Sequence, residues 1–365
     1  MPLSTSNSDP ARAAEWPETY WERPIPTAHW RGVALLTFLL VSAFLFSWET
    51  CWRLQGYEPA YADTPELWSR QRERAGTGER DEVVSTGSSR IQFNLDPDAW
   101  VQDFGGRRPV SLARVGTNPR PFLSDLARDE NFRGLLLVGI TEGLFFAPDP
   151  SPPTREALQF LEHHANRPLS ARADHLLSIP LHSAFAFLNA EDLSLSPLLR
   201  RRWLSVADRE NAYIMPNLPP YMGRIDSERR IHMWSRMERD RDLQQEVQNI
   251  WLPLFQLGPP LGGEPLAALI DSVRRDVEKI RARGGEVVFI RYPSTGRLYE
   301  IETVRWPREA YWDRLIEETG AHGIHFEDHE ALRGFNCPEW SHLTRVDAVT
   351  FTRNLVPIIR ERTAR

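Results

Sequence analysis

Five short apolar runs, each ended by a turn and spaced by longer helical patterns, restrict what this chain can fold into more than any other feature. They are EVVSTG at 82–87, PVSLARVG at 109–116, GLLLVGI at 134–140, EVVFIRYP at 286–293 and GIHFED at 323–328. Runs this short and continuous suit strands buried on both faces. The clearest helix between them puts Leu266, Leu269, Ile270, Val273, Val277 and Ile280 on one face, with Pro265 near its start and Gly284-Gly285 past its end. A last helix is expected after Leu343, burying Val346, Val349, Phe351, Leu355 and Ile358. Strand alternating with helix predicts an α/β fold, a three-layer α/β/α sandwich on a five-stranded parallel sheet. Residues 147–260 break the rhythm with a Pro-, Arg- and Trp-rich stretch that carries no strand signal. It reads as a helical insertion packed over one end of the sheet, its aromatics serving as core.

The chain has 365 residues, 41% of them hydrophobic, enough to bury one large core. A formal net charge of −6 provides no basic field for nucleic acid, so no nucleic-acid partner is expected. Lys279 is the one lysine, and the remaining positive charge is Arg. Cys51 and Cys337 lie far apart and form neither a disulfide framework nor a zinc pattern.

From Gly32 to Trp48 the sequence GVALLTFLLVSAFLFSW has no charge, with Arg31 before it and Glu49 after. Seventeen such residues reach the lower limit for a membrane span, and Cys51, Trp52 and Leu54 extend it. A cleaved signal peptide fits less well, because the small-residue AYA at 60–62 lies far beyond the apolar core and a long polar stretch precedes it. The expected organisation is a cytoplasmic tail at 1–31, a transmembrane anchor at 32–52, a linker or stalk at 53–81 and an enzyme-like domain at 82–365. Arg12, Arg23 and Arg31 against Arg53 place the N-terminus in the cytoplasm. The domain is then expected on the outer side of a single-pass inner-membrane protein.

Ligands of parallel α/β sheets bind at the carboxyl ends of the strands. The loops there supply Ser88, Ser89 and Arg90, then Gly116, Thr117 and Asn118, then Thr141 and Glu142, then Ser294 and Thr295. The stretch FNCPEWSHL at 335–343 adds Glu339 and His342 just before the last helix. A hydroxyl nucleophile needs a base within hydrogen-bond reach, and the base needs an acceptor to fix its tautomer. Ser, His and Glu stand at loop positions that this topology can bring together.

These blocks resemble the SGNH (GDSL-like) hydrolase superfamily, with its Gly-x-Ser turn after the first strand and its Asp-x-x-His before the C-terminal helix. Gly87-Ser88-Ser89 matches the first block and Glu339-Trp340-Ser341-His342 the last, with Glu in place of Asp. The resemblance implies the SGNH/flavodoxin-like strand order, Ser89 as nucleophile, His342 as base with Nε2 facing Ser89 Oγ, and Glu339 as the acid. It also implies an oxyanion hole from the Ser89 N–H, Gly116 and position 141, where this chain has Thr141 instead of the family's Asn. Arg90, Asn118 and Arg291 are expected to hold an anionic or sugar substrate.

The implied activity is that of a membrane-anchored, extracytoplasmic serine esterase or O-acyltransferase. By analogy with membrane-bound relatives, its substrate is an acylated surface glycan or another ester, and it works with an envelope-complex protein partner and no cofactor. Three other readings remain. One is an inactive scaffold of the same fold that binds a glycan or a membrane partner. Another is a flavin or phosphate binder using STGSS, in which the Glu-x-x-His loop has no task. The third is a metal site at His322, His325, Asp328 and His329, whose spacing matches no familiar pattern, so no metal is expected. Cys337 is expected to pack rather than react.

Overall fold

The structure is a computed structural model that describes residues 29–202 and 218–363. Most of the expected tail, with Arg12 and Arg23, and residues 203–217 of the insertion lie outside the described residues. The chain divides into two compact units, Met1–Cys51 and Trp52–Arg365. In the first, helix α1 begins at Trp30 and continues to Leu54, 25 residues with a mean hydropathy of 1.8 in its most apolar window and no buried residue. It is long and apolar enough to cross a membrane, since 25 residues rise about 38 Å against a hydrocarbon core of about 30 Å.

The second unit is built on a parallel sheet of β1 (Val83–Thr86), β2 (Val110–Ser111), β3 (Leu135–Ile140), β6 (Glu286–Arg291) and β7 (His322–His325), in the order β2-β1-β3-β6-β7. Strands β4 (Arg224–Ile225) and β5 (Ile231–His232) form a separate antiparallel pair. Alternate residues of the parallel strands enter two apolar layers on opposite faces. Val84, Leu136, Val138, Val287 and Phe289 pack with α5 (Arg120–Arg128), α7 (Pro152–Ala165) and α13 (Gly263–Ala282). Val83, Leu135, Leu137, Val288 and Ile290 pack with α3 (Ser89–Asn94), α4 (Pro97–Phe104) and α16 (Arg345–Thr363). The continuous apolar runs follow from this double burial. All six apolar positions expected on the face of α13 are buried.

The last helix departs from expectation by a rotation. Phe351 and Leu355 are buried as expected, joined by Ala348, Thr352, Val356 and Ile359, while Val346 is exposed and Val349 and Ile358 are half-buried. The face runs through adjacent pairs 351/352 and 355/356, which leaves Pro357 exposed.

The expected stalk at 53–81 is a correction. Tyr57, Ala60, Leu67 and Trp68 are buried, and α2 (Pro65–Arg72) packs against α7. Its role is to close the sheet edge at β2. Trp68 Nε1 donates to the Leu112 carbonyl at 3.0 Å, and Arg229 donates to the carbonyls of Ser111 and Ala113 at 2.9 and 2.6 Å. An edge whose carbonyls are taken offers little for another strand to pair with. Asp63 holds Arg229 in place with two contacts, 2.7 and 2.9 Å.

The insertion is likewise more than a cover. Helix α7 belongs to the apolar layer beside α5, and the β4/β5 pair escaped sequence reading because two-residue strands show no alternation. Helices α8 (Leu169–Ala184), α9 (Ala190–Leu193), α10 (Leu195–Arg202), α11 (Ser235–Arg239) and α12 (Arg241–Leu254) complete it. A third apolar cluster joins Tyr221, Ile225, Met237, Val247 and Trp251 of this region to Tyr57, Leu67 and Phe93. Between the strands lie α6 (Glu142–Phe145), α14 (Gly296–Arg305) and α15 (Arg314–Thr319).

Candidate active site

Strand β1 ends in a turn that admits glycine alone at position 87. Gly87 has φ +154°, and a Cβ there would sit 2.5 Å from Ile91 Cγ2 and 3.0 Å from the Gly139 carbonyl oxygen. The turn therefore presses α3 against β3. Ser88 then caps α3: its hydroxyl accepts from the Arg90 N–H at 3.5 Å and shares a 2.7 Å hydrogen bond with the Thr141 hydroxyl. Ser88 is 1% exposed, whereas Ser89, the first residue of α3, is partly open. Of the adjacent hydroxyls, Ser88 is the structural one.

The Glu-x-x-His loop is held from three sides. Glu339 Oε1 accepts from the His342 backbone N–H at 2.6 Å and from His342 Nδ1 at 2.9 Å. Glu339 Oε2 accepts from the indole N–H of Trp251, on α12, at 2.6 Å. A carboxylate only accepts, so Nδ1 carries a proton, and in the neutral imidazole Nε2 keeps its lone pair. That Nε2 is buried without a hydrogen-bond partner among the described residues. The expected hydrogen bond from His342 to Ser89 is thus not made in this structure. Gln248 Nε2 donates to the Pro338 carbonyl at 3.0 Å, and the Trp340 carbonyl accepts from the Thr295 N–H at 2.9 Å. Trp340 adopts φ +79°, a strained value for a bulky residue. Its ring fits because a Cβ on Gly296 would stand 2.4 Å from Trp340 Nε1.

Helix α3 and this loop are joined residue by residue. Arg90 Nε donates to Ser341 Oγ at 3.2 Å, the Phe93 and His342 rings lie 4.3 Å apart, and Asn94 Oδ1 accepts from the Leu343 N–H at 3.0 Å. The residues flanking Ser89 and those flanking His342 are therefore in contact, although they stand about 250 positions apart in the chain.

Arg90 and Arg291 are corrections. Their side chains, 1% and 3% exposed, are engaged by protein partners in the interior. Arg90 forks onto Glu302, and Arg291 bonds Glu142, the Tyr292 carbonyl, Ser294 at 3.2 Å and Glu302 at 2.8 Å. Burial pushes the Glu142 carboxyl above its ordinary range against the pull of Arg291. At Glu302 burial acts the same way, but Arg90 and Arg291 overcome it and hold the carboxyl low. Asn118 is also corrected: fully buried, it donates to Thr154 Oγ1 at 3.0 Å and accepts from the Arg120 N–H at 3.0 Å. It ties α5 to α7.

Of the expected oxyanion donors, Gly116 lies exposed in a turn with φ +69°, two residues past the point where the Arg114 N–H bonds the Gly87 carbonyl at 3.0 Å. The Thr141 hydroxyl is engaged with Ser88. Cys337 is buried against the Pro293 carbonyl at 3.6 Å, and burial raises its thiol. Among the described residues no group of His, Cys, Asp and Glu is placed to hold a metal. His325 sits between Trp312 and Phe326, with burial first and Arg291 next pushing its imidazole down to about 3.

Trp251 is the site residue that sequence reasoning missed. It lies among the aromatics of 147–260 that read as core, and nothing local shows where an indole N–H points. Comparison of the chain with protein-family models, curated proteins and solved structures gives no match.

Proposed function

We propose that this chain is a serine esterase or O-acyltransferase of SGNH type, with Ser89 as nucleophile, His342 as base and Glu339 as acid. The observation that carries the reading is the buried Glu339–His342 pair, which leaves an unpartnered Nε2 lone pair beside the helix that Ser89 opens. An unpaired buried acceptor costs about 1–3 kcal/mol, and a base awaiting a hydroxyl proton accounts for it. The nucleophile and base of a free enzyme often stand apart until substrate binds. The Ser88–Thr141 bond joins the turns after β1 and β3, the switch point of an order that runs 2-1-3-4-5 when the parallel strands are counted alone. That agreement favours the SGNH/flavodoxin-like sandwich.

In the proposed cycle, Nε2 takes the Ser89 proton as Oγ attacks an ester carbonyl, and Glu339 stabilises the imidazolium. The imidazolium gives its proton to the departing alcohol as the ester C–O bond breaks; the acyl group then passes from Ser89 to water or to a glycan hydroxyl, which His342 deprotonates, and the proton returns to Ser89 Oγ. Helix α1 serves as anchor in the cell membrane, with the domain on the extracytoplasmic side. Labelling of the full chain by a fluorophosphonate probe, lost on Ser89→Ala, tests the assignment. Labelling of neither protein favours the inactive scaffold instead, and equal labelling of both overturns Ser89 as nucleophile.

A further inference from the structure

We propose that α8 is an interfacial helix whose leucine face rests on the lipid bilayer. Leu169, Leu176, Leu177 and Leu181 are exposed by 80, 61, 74 and 51%. Ala173, Pro180 and Ala184 are exposed between them at i+3/i+4 spacing, and no charged residue interrupts the face. Single exposed leucines are ordinary, but four on one helical face form a patch that water disfavours. The opposite face is docked: His175 is buried, Tyr61 OH donates to the Ile179 carbonyl at 3.1 Å, and the Tyr61 and His182 rings lie 5.7 Å apart. The leucines therefore cannot turn inward.

Continuity with the apolar helix α1 identifies the occupant. Arg53, in the last turn of α1, donates Nη2–H to the Ala184 carbonyl at 2.9 Å, at the C-terminal end of the same leucine face. Tyr57 is already buried in the domain four residues later, so no stalk lifts this surface away from the point where α1 ends. Arg53 and Ala184 both belong to the second unit, so the chain has only a few residues in which to carry this surface away from a bilayer that holds residues 32–48. An apolar helix face beside a lipid surface settles about 5–10 Å into the headgroup–acyl boundary. This inference is independent of the catalytic assignment and rests on α1 spanning the membrane.

The test uses the full chain in lipid nanodiscs, with Cys51→Ser as background, Cys337 left buried and out of reach of the label, and a nitroxide on one cysteine introduced at position 169, 177 or 181. Position 40 in α1 and position 304, exposed on α14, are the references. Collision with oxygen should rise and collision with a water-soluble nickel chelate should fall several-fold at the α8 sites relative to position 304, in the direction shown by position 40. Nickel accessibility at α8 equal to that at 304 overturns the proposal. So does protection from both reagents, which would mean that a second copy or another protein covers the face. A position 40 as open to nickel as 304 overturns the anchor and the α8 proposal together, while fluorophosphonate labelling of the same samples reports separately on Ser89.

Discussion

Trp251 reaches from the insertion to place its indole N–H 2.6 Å from Glu339 Oε2, so the acid of the candidate triad is completed by a residue outside the strand-loop blocks. With both carboxylate oxygens occupied, Glu339 cannot rotate away from His342 without breaking a hydrogen bond to a charged group. Such bonds contribute about 1.5–3 kcal/mol. Trp251→Phe keeps most of the ring and removes the donor. Ester turnover by this variant should fall about 10- to 100-fold with cooperative unfolding preserved. Unchanged turnover would show that the bond does not serve catalysis.

The two serines should separate cleanly. Ser89→Ala is expected to abolish probe labelling and leave the thermal midpoint near that of the parent chain. Ser88→Ala removes the cap of α3 and the bond to Thr141, costing about 0.5–2 kcal/mol of stability while labelling persists. Calorimetry and labelling on the same preparations check both, and loss of labelling in Ser88→Ala alone would move the nucleophile by one residue.

Glu339→Gln tests the tautomer. A glutamine oxygen cannot serve Trp251, the His342 N–H and Nδ1 together, and its amide group can donate to Nδ1 and drive the proton to Nε2. In serine-protease triads the acid-to-amide change costs about 10⁴ in rate. Turnover of Glu339→Gln should therefore fall nearly as far as that of His342→Ala, by several orders of magnitude, in steady-state assays on p-nitrophenyl acetate. Glu339→Asp, which keeps the charge but shortens the reach, should retain more activity than Glu339→Gln.

Asp63 makes acid stability measurable. Burial raises its carboxyl, but Arg229 and then Arg114 outweigh burial and hold it below the usual range. A depressed folded value means that the stabilisation is present above the unfolded pKa of about 3.9 and is lost as pH falls through the lower folded value. Asp63→Asn leaves Arg229 buried and unpaired, so stability near pH 7 should fall by about 3–5 kcal/mol. The parent chain should converge on the variant below about pH 3.9. Thermal melts at several pH values decide it, and a gap that does not narrow on acidification would refute the linkage.

Local pattern alone carried the sheet. EVVFIRYP and GLLLVGI read as strands buried on both faces because side-chain period and hydrophobicity are local properties, and the six buried positions of α13 follow from its 3.6-residue spacing. The Glu339–His342 pair was legible for the same reason, since its members are three residues apart in one loop. Tertiary structure decided everything whose partner is distant. Arg90 and Arg291 look like substrate ligands until Glu142 and Glu302 meet them in the interior, and residues 53–81 look like a stalk until Trp68 and Asp63 close the β2 edge. Sequence determines which side chains can be buried or charged. Only the fold determines which of them find one another, because the direction of a hydrogen bond and the burial of a charge depend on neighbours brought together from far along the chain.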